Sequence, residues 1–326
     1  MSKYIGRQIN VGVGIESTRG TAVAIQSWTP KTDLSFIDKA ETIQDESSIG
    51  VITDARDSFI TKLWSEGDIS GNIEANNIGY YLLGLFGTVS SAVATTGAYT
   101  HSFTLSEVNQ GKTLTIGMEE PNSSEYAFAL GSVESMTFTA EEGTQAVFTV
   151  TMKAKPGAVA VLTHTYAVDY KLLSRHSIFK TATNLAGLDA ASAVCLKSFE
   201  ITFTRNLEDD YCLGSQTPQD FIGKQFQIEG SFSLLMEDEV YKTYALAGTK
   251  RAVRFDLADT GTTIGISSNP TLRFDLPICA MTEWAKTQGN DEVVTQTLTF
   301  KGLYSNTDTS AVNTYLTNTT ATYVAA

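Results

Sequence analysis

Thr149-Val-Thr-Met-Lys-Ala154, preceded by Phe148, alternates apolar and polar side chains, and Thr297-Leu-Thr-Phe-Lys-Gly302 alternates in the same way. Period two in β-branched and aromatic residues sorts side chains onto the two faces of a half-buried antiparallel strand. Working outward, related patterns predict strands near 8–15, 57–64, 68–75, 99–105, 113–118, 132–140, 195–204, 225–235, 251–257 and 270–276. Clusters of Gly, Asn, Asp and Ser separate them. The expected fold class is therefore mainly β.

Two segments read as helices. Asn77 is placed to cap a helix carrying Ile78, Tyr81, Leu82 and Leu85 on one face and ending at Gly87. Asp238 is placed to cap Glu239 through Ala247, with Gly248 as the stop. Each helix is about ten residues, too short to persist without a sheet to pack on.

These helices sit inside an internal repeat. Asp68-Ile-Ser-Gly71 precedes the first and Gln227-Ile-Glu-Gly230 the second; Phe86-Gly87-Thr88 and Ala247-Gly248-Thr249 follow them. Ser35-Phe36 through Glu46 to Ile49-Gly50 resembles Ser198-Phe199 through Asp210 to Leu213-Gly214. Thr113-Leu114 resembles Thr271-Leu272, and the two Thr-rich strands quoted above complete the series. Collinear matches point to tandem duplication. Two copies of a β-sandwich or barrel-like domain, each with one short α-helix, are expected at 1–157 and 158–326, joined at Lys155-Pro156-Gly157.

Length and composition agree with two cored units: 326 residues, 42% hydrophobic and 18% charged, which excludes a disordered chain. No apolar run reaches the ~18 residues of a membrane helix. The opening MSKYIGRQIN has no apolar segment behind a basic start, so a soluble protein made and used in a cytoplasm is expected. Acidic residues outnumber basic ones 36 to 23. Cut at Pro156-Gly157, the halves carry 18 against 10 and 18 against 13, so both are acidic. Such a surface does not grip phosphates but lets a nucleic acid pass by repelling it. Cys195, Cys212 and Cys279 show no metal spacing and read as reduced thiols.

Catalytic signals are missing. No HExxH, GxSxG or GxxxxGK[ST] occurs, and Gly12-Val-Gly14 lacks both the third glycine and the helix of a dinucleotide loop. His101, His164 and His176 read as surface or edge-strand residues. Glu119-Glu120, Glu141-Glu142, Glu208-Asp209-Asp210 and Glu237-Asp238-Glu239 read as solvated turns rather than a glycosidase pair. Calcium on Glu208-Asp209-Asp210 lacks EF-hand spacing. The sequons at Asn122 and Asn318 carry little meaning without secretion. No enzyme, cofactor or metal is expected. Two features suggest assembly instead. Residues 39–56 form a long polar loop partly mirrored by 205–222. The tail from Ser305 to Ala326 is either a frayed end or an arm that orders on a neighbouring subunit.

Ser198-Phe-Glu-Ile-Thr-Phe, Asn206-Leu-Glu, Leu213-Gly-Ser, Gln225-Phe-Gln-Ile-Glu-Gly-Ser-Phe-Ser-Leu and Asp238 through Gly248-Thr249 resemble the tail tube proteins of long-tailed bacteriophages. So do Val11-Gly-Val-Gly-Ile-Glu-Ser-Thr-Arg-Gly-Thr-Ala and Trp28-Thr-Pro30 at the start. The resemblance implies a β-sandwich flanked by a helix, six of which close a ring whose inner strands form a continuous barrel. Rings stack into a tube around a tape-measure protein and later conduct double-stranded DNA without binding it specifically. With a duplicated domain, three chains supply the six positions; a hexamer is the alternative. The resemblance also implies an inter-ring loop including Gln44, Asp45, Glu46, Asp54 and Arg56. Glu208, Asp209 and Asp210 are candidates for an acidic lumen. The expected location is the virion tail, assembled in the bacterial host cytoplasm, with no membrane in the tube itself. A tandem β-sandwich receptor- or carbohydrate-binding protein, an adhesin or tail-tip component using Trp28, Trp64 or Trp284 for sugar stacking, is the alternative function.

Overall fold

The computed structural model describes residues 4–121, 124–291 and 293–325; the sequon residue Asn122 lies outside them. The fold is mainly β with two α-helices among the described residues. The first half holds β1 (Asn10–Ile15), β2 (Ser27–Thr29), β3 (Lys31–Leu34), β4 (Ile37–Asp45), β5 (Asp57–Asn72) and helix α1 (Ile78–Phe86). β6 (Gly87–Thr95), β7 (Ala98–Leu105), β8 (Leu114–Glu119), β9 (Glu125–Glu141), β10 (Val147–Ala154) and β11 (Ala158–Ala160) follow. The second half holds β12 (Ser177–Ala182), β13 (Ala193–Val194), β14 (Ser198–Thr204), β15 (Leu207–Asp210), β16 (Asp220–Gly223) and β17 (Gln227–Leu235). Helix α2 (Val240–Leu246), β18 (Lys250–Ala258), β19 (Thr271–Lys286), β20 (Thr295–Leu303) and β21 (Asn313–Asn318) complete it.

The two halves repeat one order of antiparallel pairing. In the first it is β2–β1–β8–β9–β10–β5–β3, with β4 continuing β3 along β5. In the second it is β13–β12–β18–β19–β20–β17–β14, with the β15–β16 hairpin continuing the last pair. Irregularities repeat as well. β9 bulges between Ser135 and Val133 opposite Thr151 and Met152, and β19 between Glu283 and Met281 opposite Thr299 and Phe300. A bulge is a fixed feature of a ladder, so it aligns the two Thr-rich strands as their sequences do. The long hairpins agree too: Asp45 faces Asp57 in one and Asp210 faces Asp220 in the other.

The ladders correct three of the short matches. Gly67, not Gly71, stands where Gly230 does, since Gly67 faces Met152 and Gly230 faces Phe300. Both glycines lie against a neighbouring backbone: a Cβ would fall 2.5 Å from Ser35 O at Gly67 and 2.3 Å from Glu200 O at Gly230. These contacts align Ser35 with Glu200 rather than Ser198. Thr113-Leu114 leads into β8 whereas Thr271 opens β19, so that match joins strands in different places. The first half also contains an extra hairpin, β6–β7, directly after α1.

Strands with no buried face escaped the sequence reading. β4 is exposed along almost its whole length, so residues 39–45, expected as loop, have no apolar alternation to reveal them. β6 has the same character. The expected strands at 57–64 and 68–75 are one continuous β5, and β9 and β19 are far longer than expected.

The helix caps differ in mechanism. The Asn77 side chain does not cap α1, because it donates to Ser27 Oγ at 2.7 Å. Asp169, from the segment after β11, accepts the Asn76 and Asn77 N–H groups at 2.9 Å each. Gly87 ends α1 with φ of 87°. Asp238 accepts from Val240 N at 3.0 Å, and Gly248, at φ 63°, follows α2.

One hydrophobic core runs through both halves without a break at 157. Phe138 of β9 lies 4.8 Å from Phe274 of β19, centroid to centroid, and Phe203 of β14 lies 5.3 Å from Phe274. Residues 158–173 stay on the first half: Ala75 N donates to Tyr170 O and Leu172 N to Ile73 O. The segment from Ser305 is also folded onto its own chain. β21 lies between β19 and β7, and Tyr323 is buried beside α1. His101, expected as a surface or edge-strand residue, is fully buried on β7, which is paired on both sides, with Nδ1 at 2.7 Å from Ser91 Oγ and Nε2 at 3.1 Å from Asn318 Oδ1.

Candidate assembly surfaces

Between the halves runs a seam of backbone hydrogen bonds. β14 pairs with β9 from Ser198 opposite Glu141 to Thr204 opposite Ser135. Phe138 and Ile201 face each other on the core side, both buried. Thr137 Oγ1 and Thr202 Oγ1 meet at 2.9 Å on the other side. Cross-strand pairs of this kind stabilise a sheet by roughly 0.2–1 kcal/mol each. Around the seam, buried Arg205 donates to Gly84 O and Leu85 O at the C-terminal end of α1, where a cation suits the helix dipole. Arg19 binds Asp220 at 2.5 Å, holding the root of the second hairpin to the first half.

The counterpart edges are open. Beyond Ala280, β19 has a partner only in β20, on one side, so its edge from Glu283 onward carries none of the pairing that β14 gives β9. β3 and β4, the counterparts of β14 and β15, pair among the described residues with β5 alone. The helices differ in parallel. α1 is buried almost throughout, with Phe86 against Phe203 and Phe226 of the second half. On α2 only Tyr241 is buried, and Leu246 is 75% exposed. An unpaired sheet edge beside an exposed apolar helix is a surface made to be covered.

The hairpins project from one end of the sheet. Gln44 and Asp45 end β4, while Glu46 and Asp54 lie in the 46–56 tip. Hydrogen bonds from Ser47 and Arg56 hold the Asp45 carboxyl below the usual range; Arg56 Nε donates to it at 2.6 Å. Ile43, Ile49, Val51, Ile52, Phe59 and Ile60 are all exposed there. The second hairpin leans on the first: Leu63 N donates to Gln216 O at 2.7 Å. Its acidic run is split by the strand, with Glu208 beside Lys224 at 3.3 Å, Asp209 beside Lys153 at 3.0 Å and Asp210 opposite Asp220. Among the described residues no cluster of three or more metal-ligating side chains forms.

A broad polar face lies behind the core on the seven strands β5–β10–β9–β14–β17–β20–β19. Ser70, Thr149, Thr137, Thr202, Glu229 and Lys301 form one row across it. Asp68, Glu200 and Glu283 add carboxylates in neighbouring rows, where Lys153 is a cation, and Lys301 is the cation of the first row. The sequence reading missed this face, although Thr at every second position was its signal.

Antiparallel strands with open lateral edges, projecting hairpins and a polar face define a β-rich protein whose exposed features are sheet edges and hairpins rather than a catalytic cleft. The family model for phage tail tube proteins matches residues 6–302. The chain therefore belongs to the phage tail tube protein family and is a structural component of the virion tail. Among curated proteins, none matches the chain.

Proposed function

We propose that the chain is a tandem duplication whose two copies fill adjacent positions of a ring, so that three chains close six positions and the rings stack into a tube. The in-chain β9–β14 seam carries this reading, because it pairs two edges whose counterparts are open at the far side of each half. Applied to those counterparts, the same register sets Lys39 of one chain opposite Glu283 of the next and Ile37 opposite Ala285. Closing the ring removes every such edge, and the neighbouring chain covers Leu246.

The polar face then lines the lumen, in place of the Glu208-Asp209-Asp210 cluster alone. Hydroxyls paired to one another, with carboxylates in excess of lysines, offer DNA no clustered cations to hold it, so it slides. The tape-measure protein occupies the same bore during assembly in the host cytoplasm, and no helix among the described residues is long and apolar enough to cross a membrane. The carbohydrate-binding alternative has less support, since Trp28 is buried while Trp64 and Trp284 are half-buried, the latter beneath Lys242. Mass measurement of assembled rings tests the stoichiometry. A ring of three 35.2 kDa chains is expected; a ring of six, or monomers at every concentration, overturns it.

A further inference from the structure

A cleft of about 700 Å³ opens at the end of the sheet away from the hairpins. Its walls are the β9–β10 turn, the segment before β12 and the approach to β14. Leu173, Ile178, Phe179, Val194, Leu196 and Phe255 make it largely apolar, at a volume that elsewhere accommodates a compact cluster of side chains. On its rim, Lys197 binds Glu142 at 2.6 Å. Arg175 donates to His176 Nε2 at 3.2 Å but is paired with no carboxylate among the described residues.

At the opposite end, the β4–β5 tip bears the complementary set. Ile49, Val51 and Ile52 are 60%, 56% and 105% exposed, a cluster that its own chain leaves uncovered. Glu46 and Asp54 flank them, neither in an ion pair among the described residues. β5 runs from the tip at Asp57 to Asn72, which faces Val147 at the cleft's end of the sheet. At ~3.3 Å per residue the separation is about 50 Å along the strand. Apolar tip and apolar cleft therefore lie at opposite ends of one unit and meet when units are stacked head to tail.

We propose that this cleft is the socket for the β4–β5 hairpin tip of a second copy of the chain in the adjoining ring, with Ile49, Val51 and Ile52 entering it and Arg175 meeting the acidic flank. This deepens the stacked-ring reading and rests on it. The cleft supplies its own reporter, because Cys195 lines it and is exposed, whereas Cys279 is buried. An Ile52→Cys, Cys212→Ser chain, assembled and treated with a short bismaleimide, is expected to give intermolecular links that peptide mapping places between positions 52 and 195. Tubes that form while position 52 links to another surface, or to none, overturn the socket and leave the tube intact. Where no tube forms at any concentration, stacking itself fails, and a disulfide-closed peptide spanning residues 44–58 is titrated onto the full chain. Saturable binding weakened at least tenfold by Arg175→Glu upholds the tip–cleft contact. Absence of binding overturns it.

Discussion

Glu16 shows what the opening motif is for. Its carboxylate is 2% exposed and accepts from Gly20 N at 2.7 Å, Leu130 N at 2.8 Å, Thr113 Oγ1 at 2.6 Å and Thr115 Oγ1 at 3.2 Å. A buried charge is tolerable only with such a set of donors. Gly14 lies so close to the next segment that a Cβ would fall 2.3 Å from Ala24 O, and Arg19 reaches Asp220 across the chain. The glycines that fail as a dinucleotide loop are thus packing glycines. Glu16→Ala leaves several buried donors unsatisfied and is expected to cost about 2–4 kcal/mol in chemical denaturation. A loss below about 1 kcal/mol would show that the donors find other partners. None of this was legible in the sequence, because a lone glutamate after Gly-Val-Gly-Ile gives no sign that four donors converge on it.

Among the elements, the C-terminal arm and the segment after β11 both dock near the N-terminal end of α1, and their responses to pH have opposite signs. Burial pushes the His101 imidazole below its ordinary value, so the folded arm holds it neutral. The unfolded chain binds the proton first as pH falls through the usual histidine range, and arm stability drops with it. Glu74 behaves inversely. Burial, and then the nearby Asp169 carboxylate, raise its pKa to about 7. Its contribution is complete below the normal carboxylate range and is lost as pH rises towards 7. Protection factors of the amides of residues 313–323, with the intrinsic pH dependence of exchange divided out, are expected to fall below pH ~6.5, and those of residues 169–173 to fall as pH climbs from ~4.5 to 7. Burial also raises the Asp169 carboxyl, so Glu74→Gln should weaken the second trend and leave the first; an unchanged second trend would clear Glu74 of responsibility. Tyr323 offers a structural check. It lies where a Cβ on Gly79 would meet its ring at 2.1 Å, so Gly79→Ala should expel the tail and speed proteolysis after residue 318. The helices were readable from apolar spacing and terminal glycines. β4 and β6 were not, since a strand without one wet and one dry face has no alternation to read; β21 does alternate, but its dry face carries Thr314, Leu316 and Asn318, so polarity does not mark it.

For the molecule as a whole, short matches suggested two similar halves, but which residues correspond in their strand pairing was legible only in ladders and bulges. Sequence similarity around Gly71 and Gly230 is shifted by four residues from the backbone correspondence, because both strands place glycines where chains crowd. The fused core was also hidden, since period two tells which side of a strand is dry and not which strand lies across from it. The open edges make the clearest prediction at this scale. Lys39→Glu sets like charges across the proposed chain-to-chain seam and is expected to raise the concentration needed for ring formation at least tenfold by light scattering. Lys39→Glu with Glu283→Lys should recover most of that loss. Lys39 also pairs with Glu66 of its own chain at 2.6 Å, so Lys39→Gln supplies the baseline for that loss; failure of the double variant to improve on the single one would refute the register.

The β9–β14 seam has one further arithmetic consequence. In the proposed ring, blades covalently yoked in twos are added only two at a time, so five- and seven-bladed errors would be forbidden by connectivity. A mistake must therefore skip or add a whole polypeptide, with a change of bore too large to pass unnoticed when the next tier is laid down.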